Sequence, residues 1–336
     1  MQKGKYFPGL AAAIGMLVCI LDTKTAISGA SDGLQLCIRT VIPSLLPFFI
    51  LSSQVMASLM GASFRYLGAL RRILKIPKGA EAILAAAFLG GYPVGAQTIG
   101  DAVRSRSLPG DVGARLLAFC NNAGPSFLFG IGSVLFPKLW ICWALWGIHI
   151  LSAALVSLFF PAKSSICGVI EPQNRTTLPI TAALRAMAHV CGWIILFRVI
   201  LSFWERWFGW MLPPLFSMVI TGLLELSLGC ISLGEIPCIG LRFVLFSSLL
   251  GFGGLCVMLQ SRTASHGVDF RFYIPGKLLH GMISFSISAL VQYLLPAKQR
   301  WNLPIYVPVS FVCILITVLF LSRRENLCGN PRVVRV

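Results

Sequence analysis

The chain has 336 residues, of which 57% are apolar and only 12% are charged, and its formal net charge is +17. An ordinary soluble domain has roughly a quarter of its residues charged, so this composition excludes a water-soluble globular fold. The basic residues are spread between apolar runs and do not form one stripe with aromatic residues, as nucleic-acid binding would require. The composition therefore predicts a membrane protein that contacts lipid and has no nucleic-acid partner.

Apolar runs long enough to cross a bilayer recur along the chain. About 20 apolar residues span the hydrocarbon layer, and shorter runs interrupted by Gly or Pro lie between the long ones. Because unpaired backbone groups in lipid cost several kcal/mol each, interrupted segments must be buried among other helices or line a cavity. The pattern predicts an all-α integral membrane protein, a polytopic helical bundle of about 8–10 segments. The long runs are Val41–Met60, Leu139–Phe160, Met211–Cys230, Leu241–Met258 and Leu303–Leu321.

The N-terminal run Phe7–Leu21 follows Lys3 and Lys5 and precedes small residues. This order also occurs in cleaved signal peptides, but we expect an uncleaved first helix, since a protein with many spans needs no cleavage to insert. The loop Arg65–Lys78 and the tail after Leu321 are rich in Arg and Lys. By the positive-inside rule both are predicted to be cytoplasmic.

The most polar internal segment, 161–178, separates two halves with similar patterns. If each half crosses the membrane an odd number of times, the halves are inverted and a substrate lies near the midplane between them. The segments that correspond are Leu34–Leu51 with Ile180–Leu201, Ala87–Ala96 with Leu224–Leu233, and Arg115–Pro125 with Arg242–Leu255. The predicted organisation is an N-terminal transmembrane helix (1–33), a first repeat (34–160), a connecting loop (161–178), a second repeat (179–296), a C-terminal transmembrane helix (297–322) and a basic tail (323–336).

Two motifs in the first half interrupt apolar segments. Gly90–Gln97 (GGYPVGAQ) contains a proline, which cannot continue an undisturbed helix. It predicts a hairpin tip or unwound stretch whose free amides hold a polar ligand, although an ordinary tight turn also fits. Phe119–Ser126 (FCNNAGPS) carries two adjacent carboxamides, which line a polar cavity or cap an interfacial helix. The candidate binding residues are Gly91, Tyr92, Gly95, Gln97, Asn121, Asn122 and Ser126.

The second half has two further candidate sites. Glu225 lies in an apolar stretch, where a carboxylate is by default a functional hypothesis. It is a candidate for coupling transport to H⁺ or Na⁺, or for a structural ion pair with Arg198 or Arg242. Gly251–Gln260 (GFGGLCVMLQ) predicts a broken helix, with Gly253, Gly254 and Gln260 facing a ligand, although Gln260 at a water interface is an equal alternative.

The sequence offers no pattern typical of an enzyme. The four histidines lie far apart, and HExxH, GxSxG and Walker motifs are absent. We therefore expect no catalytic activity, no metal and no cofactor, and no ATP-driven pumping by this chain alone. His149 and His189, which lie in apolar runs, are interpreted as packing or interface residues.

Seven motifs lie in a fixed order between about residues 8 and 320. They are Gly33-Leu34, Val41–Leu51, Gly90–Ala96, Asn121–Pro125, Glu225–Gly229, Gly251–Val257 with Gln260, and Gly276–His280. Together they resemble the YlbJ (SpoVV) family of sporulation integral membrane proteins. The resemblance implies kinship with the nucleoside-recognition Gate domain and, more distantly, with concentrative nucleoside transporters. It thus implies two inverted repeats with re-entrant hairpins.

The resemblance also implies a cargo and a location. It implies that dipicolinic acid, made in the mother cell, is moved across the outer forespore membrane. Dipicolinate is a flat ring with two carboxylates, so its site needs fixed donors and an apolar slot. Two other functions stay open: a plasma-membrane carrier of nucleosides or another small organic anion, and a non-transporting scaffold of the spore envelope. The expected donors are the backbone amides of Gly91–Ala96 and Gly251–Gly254, helix N-termini, and the side chains of Asn121, Asn122, Ser126 and Gln260.

Overall fold

The computed structural model describes residues 7–59, 74–77, 80–160 and 179–294. Within these ranges the regular elements are all helical, which confirms the predicted all-α class. The polar segment 161–178, the predicted C-terminal helix and the basic tail lie outside the described residues, as does most of the loop Arg65–Lys78.

The described part of the first half contains eight α-helices. A π-helical turn, Cys37–Val41, joins the second of them to the third without a break. The helices are α1 (Phe7–Leu21), α2 (Thr23–Leu36), α3 (Ile42–Leu59), α4 (Glu81–Gly90), α5 (Val94–Arg104), α6 (Gly110–Cys120), α7 (Pro125–Leu135) and α8 (Leu139–Ser157).

The segment 1–33, predicted as one helix, contains a break. Asp22 separates α1 from α2, and its carboxylate accepts hydrogen bonds from the amide of Thr25 at 3.2 Å and from the hydroxyl of Thr25 at 2.8 Å. A carboxylate at this position satisfies an amide that the first turn of a helix leaves free. The N-terminal element is therefore a helix pair.

The second half contains six α-helices in its described part. Short 3₁₀ turns lie at Gly209–Met211 and Leu233–Glu235. The helices are α9 (Pro179–Phe208), α10 (Pro214–Leu224), α11 (Leu226–Ser232), α12 (Ile239–Phe252), α13 (Gly254–Ala264) and α14 (Tyr273–Leu294).

Five helical stretches among the described residues are long and apolar enough to cross a membrane. One of them, Ile239–Ala264, joins α12 and α13 across a kink at Gly253, which has a left-handed φ of 85°. The length and composition of these stretches support a multi-pass membrane protein. The others are Thr23–Leu51, Leu139–Ser157, Ala183–Met211 and Tyr273–Leu294.

Two pairs of helices are too short to cross. At 1.5 Å per residue a ten-residue helix reaches about 15 Å, half of the hydrocarbon layer. The α4–α5 and α10–α11 pairs each pack as a helical hairpin, with tips at Gly91–Pro93 and at Glu225. At the hairpin tips, backbone N–H and C=O groups are not paired within a helix, so neighbouring helices must shield them from lipid.

Each half has the same order of elements. A long helix (α3 or α9) precedes a hairpin, which is followed by a broken helix (α6–α7 or α12–α13) and a second long helix (α8 or α14). The halves also pack crosswise, since α13 contacts α5 while α7 contacts α11. This order agrees with the segments paired in the sequence, and the inversion of one half relative to the other stays a prediction.

Candidate functional site

The two hairpin tips lie around one small cavity, called here the central cavity. Its volume is about 40 Å³, which is room for a few water molecules. The apolar wall comes from α3, α7 and α9, and the polar part comes from the hairpin tips and α13. The residues that line it are Val41, Leu45, Phe49, Gly90, Gly91, Tyr92, Gly124, Phe127, Val190, Ile194, Glu225, Leu226, Ser227, Val257 and Gln260.

The first hairpin tip is pressed against the break between α6 and α7. Gly91 has a φ of 70°, and a Cβ added to it would lie 2.5 Å from the amide nitrogen of Gly124. Next to it, the buried hydroxyl of Tyr92 donates to the carbonyl oxygen of Leu250 at 3.1 Å. The predicted hairpin tip at Gly90–Gln97 is thus found, and Tyr92 ties it to the kink that ends α12.

Glu225 forms the second hairpin tip and is almost fully buried. Its two carboxylate oxygens accept hydrogen bonds from the amides of Ser227 at 3.0 Å and Leu228 at 2.7 Å, which begin α11. Of the two alternatives for Glu225, the structural ion pair with Arg198 or Arg242 is wrong. Arg198 binds Asp32 and Glu205, while Arg242 donates to carbonyl oxygens. The amides at the tip supply the stabilisation that a cation was expected to give.

A buried lysine lies behind the first tip. Lys277 on α14 is 0% exposed, and its ammonium donates to Asn122 Oδ1 at 3.0 Å and to the hydroxyl of Tyr92 at 3.5 Å. The same ammonium lies 5.0 Å from the centroid of the Tyr92 ring and 5.9 Å from that of Tyr273. In the described part of the chain it forms no ion pair with a carboxylate. An unneutralised cation is costly in such a place unless a ligand compensates it.

The two adjacent asparagines have different partners. Asn121 accepts from the amide of Ala96 at 3.1 Å and donates to Ser261 Oγ at 2.6 Å and to the hydroxyl of Tyr273 at 3.0 Å. It therefore holds α5, α13 and α14 together. Asn122 donates to the carbonyl oxygen of Phe119 at 2.7 Å and presents its own oxygen to Lys277.

Comparison with known proteins supports the resemblance to the YlbJ family that the seven sequence motifs indicated. The chain is 24% identical to the sporulation integral membrane protein YlbJ of Bacillus subtilis (strain 168), over 85% of this chain and 81% of that protein. The match supports the similarity of the chain to the YlbJ family. No family model matches the chain, and no solved structure does. The wider relation to the Gate domain stays a prediction.

The structure brings most of the remaining predicted residues to the same region. Gln260 lines the central cavity and donates to the sulfur of Cys256 at 3.2 Å. A Cβ on Gly253 would lie 2.8 Å from the hydroxyl of Tyr92, and one on Gly254 would lie 3.2 Å from the carbonyl oxygen of Gly222. These glycines let the second broken helix approach both hairpins closely.

Three predicted residues lie near the cavity region without lining it. Gly95 packs on α6, where a Cβ would lie 3.1 Å from the carbonyl oxygen of Cys120. Gln97 is half-buried on α5. Ser126 is half-buried at the start of α7, and its hydroxyl has no hydrogen-bond partner in the described part of the chain. A solute in the observed cavity would therefore not contact these three residues.

Lys277 was not among the sequence-predicted site residues, although it belongs to one of the YlbJ motifs, Gly276–His280. It precedes the apolar run Leu278–Leu295 and so has the position of an interfacial cation. Its position could have indicated a functional role, because Lys277 lies one turn inside a helix that starts at Tyr273, and a lysine inside an apolar helix is a candidate functional residue. Among the described residues, no three His, Cys, Asp or Glu side chains are grouped as metal ligands would be.

Proposed function

We propose that this chain is a membrane carrier for a small organic dianion, and that its cargo is dipicolinate during sporulation. The observation that carries the proposal is Lys277, a fully buried ammonium beside the central cavity with no carboxylate partner in the described part of the chain. A solute carboxylate would supply the missing negative charge in an environment where a charge-assisted hydrogen bond is worth about 1.5–3 kcal/mol. The sporulation name of the YlbJ relative supports the setting.

The proposed carrier has two inverted repeats, as in the Gate domain and the concentrative nucleoside transporters. The shared order of long helix, hairpin, broken helix and long helix supports this, and so does the position of the cavity between the two hairpin tips. The proposed location is the outer forespore membrane, with solute moving from the mother cell towards the forespore. No catalysis is proposed.

The central cavity is too small for the proposed solute. A volume of about 40 Å³ holds a few waters, so a ring with two carboxylates can enter only if a hairpin tip moves. The contacts that would open are the Tyr92 hydrogen bond to Leu250 and the packing of Gly91 on Gly124. Transport would then proceed by moving each hairpin in turn, which is the alternating access of carriers with inverted repeats.

The experiment is uptake of labelled dipicolinate into vesicles that contain only this protein. Lys277→Met should reduce uptake at least about tenfold, because one charge-assisted hydrogen bond to the solute is lost. Lys277→Arg keeps the positive charge and should retain part of the uptake. Lys138→Met is the matched control, because Lys138 is an exposed lysine just before α8. Unlabelled pyridine dicarboxylate should compete for uptake, and a neutral nucleoside should not.

Three outcomes would contradict the proposal. Uptake of a nucleoside in place of dipicolinate would favour a nucleoside carrier. A neutral nucleoside cannot compensate the charge of Lys277, so the argument from that lysine would fail. Absence of uptake of either solute by folded protein would favour a scaffold. Undiminished uptake by Lys277→Met would mean that the solute carboxylate binds elsewhere.

A further inference from the structure

A stripe of buried polar side chains runs along α14, starting at Lys277. Its members are spaced three or four residues apart, so they share one face of the helix. None is more than 3% exposed, although the helix is long and apolar enough to span a membrane. The members are Lys277, His280, Ser284, Ser288 and Gln292.

The stripe faces a second histidine on α8. The rings of His149 and His280 are stacked, with centroids 4.6 Å apart and planes 24° from parallel. His280 Nε2 lies 3.0 Å from the carbonyl oxygen of His149. His149, interpreted from the sequence as a packing residue, is therefore half of a buried imidazole pair, whereas His189 lies apart on α9, bonded to Thr263.

The carbonyl contact fixes the tautomer of His280. A carbonyl oxygen can only accept, so Nε2 of His280 carries the hydrogen. In the neutral ring Nδ1 then has a free lone pair. That atom is buried and has no hydrogen-bond partner among the described residues, and the same holds for both ring nitrogens of His149 and the hydroxyls of Ser152 and Ser284. Such unsatisfied groups mark a place where a proton or water can be bound.

Few other titratable groups are near the pair. Lys277 acts electrostatically on both rings, and Cys120 of α6 and the ring of Tyr273 lie beside Lys277. Elsewhere on the helices packed against α14, the guanidinium groups of Arg115 and Arg242 are bound by carbonyl oxygens. The sequences of α8, α12 and α14 contain no Asp or Glu.

We propose that the His149–His280 pair is the proton-binding site of the carrier and takes up one proton together with each dianionic solute. This inference rests on the proposed function. The proton leaves a hydronium ion on the side where the solute enters and forms an N–H bond with the free lone pair of His280 Nδ1. On the opposite side this N–H bond breaks and the proton forms an O–H bond with water. No other bond is made or broken.

The charges explain why the two events are linked. With the cavity empty, a proton on either ring would be a second buried positive charge near Lys277, which is unfavourable. A bound dianion compensates both charges, so it raises the proton affinity of the pair, and by linkage the proton raises the affinity for the dianion. The 4.6 Å stacking distance excludes a second proton, since two like charges would lie in contact.

The test uses full-length protein in vesicles that contain a pH-sensitive dye, with the membrane voltage held at zero by potassium and valinomycin. Labelled dipicolinate is added outside. An outside pH one unit below the inside pH should drive about tenfold accumulation, because one proton per solute carries that factor. The dye should report one proton entering with each dipicolinate.

His280→Gln is the informative variant, because its amide can still donate to the carbonyl of His149 but cannot bind a proton. His149→Gln should behave in the same way. Both should lose pH-driven accumulation. Exchange of labelled for unlabelled dipicolinate should still occur at saturating dipicolinate, but its half-maximal rate should need a higher concentration, because the proton no longer raises the affinity for the dianion. His189→Gln, in another membrane-spanning helix, is the matched control and should keep both activities.

The outcomes separate the two proposals. Absence of dipicolinate exchange in the parent overturns the proposed function and the coupling with it. Exchange in the parent without proton entry overturns the coupling alone, independently of any variant. Normal pH-driven accumulation by both Gln variants also overturns the assignment of the proton to this pair. Loss of exchange at saturating dipicolinate, in variants whose unfolding temperature equals that of the parent, overturns it as well.

Discussion

Asn121 and Asn122 are adjacent in sequence but differ in what they stabilise. Asn121 bridges three helices through three buried hydrogen bonds. Asn121→Ala leaves the amide of Ala96 and two hydroxyls without this partner, so we expect a loss of about 2–3 kcal/mol in the free energy of unfolding. Thermal unfolding of the purified protein in detergent measures this directly, as a lower unfolding temperature.

Asn122→Ala is the matched comparison. It removes one buried bond to the carbonyl of Phe119 and the oxygen that holds the Lys277 ammonium. We expect a smaller change in unfolding temperature and a larger loss of dipicolinate uptake per molecule of folded protein. If Asn121→Ala unfolds like the parent while Asn122→Ala does not, the division between a structural and a solute-facing asparagine is wrong.

At the scale of the elements, the first hairpin depends on glycine at its tip. Gly91 has a φ of 70° and approaches Gly124 so closely that a Cβ would lie 2.5 Å from its amide nitrogen. Gly91→Ala should therefore cost at least about 1–3 kcal/mol from backbone strain alone, and should separate the tip from the α6–α7 break. The measurement is the unfolding temperature together with dipicolinate uptake, both of which should fall.

Gly147→Ala in α8 is the control for this prediction. Its Cβ would meet nothing within 4 Å, and the backbone is helical. Replacing a glycine inside a helix by alanine should stabilise the protein by roughly 0.5–1 kcal/mol. Equal effects of the two substitutions would show that the tip contact does not determine stability.

The breaks in the helices could be predicted from the sequence, because proline and glycine act locally. The tip within Gly90–Gln97, the break between Cys120 and Pro125 and the kink at Gly253 are all found. The partners of Glu225 could not be predicted, because the helix start at Leu226 that supplies its amides is not marked by composition. Lys277 was missed for a similar reason: its burial depends on α6, α8 and α12, which are distant in sequence.

In the described part of the chain, the two halves repeat the same series of elements and contact each other through equivalent pairs of helices. The hairpin helix α5 packs on α13, and its counterpart α11 packs on α7. This arrangement is expected of a two-fold relation, in which the two hairpins open to opposite sides of the membrane. The orientation can be measured at equivalent positions in the two halves.

Arg106 and Glu235 are such positions, since each is exposed and lies just after a hairpin and before a broken helix. If the halves are inverted, cysteines at these positions lie on opposite sides of the membrane. We expect Arg106→Cys to be labelled by a membrane-impermeant maleimide only after the cytoplasmic side is made accessible, because the basic loop favours that side. Glu235→Cys should be labelled in intact cells. The background is a parent chain in which serine replaces the cysteines that are partly exposed among the described residues, together with those outside the described residues: Cys19, Cys191, Cys238, Cys167, Cys313 and Cys328. Labelling of both cysteines from one side would mean that the halves are parallel, and the hairpins could then not open in alternation to the two faces.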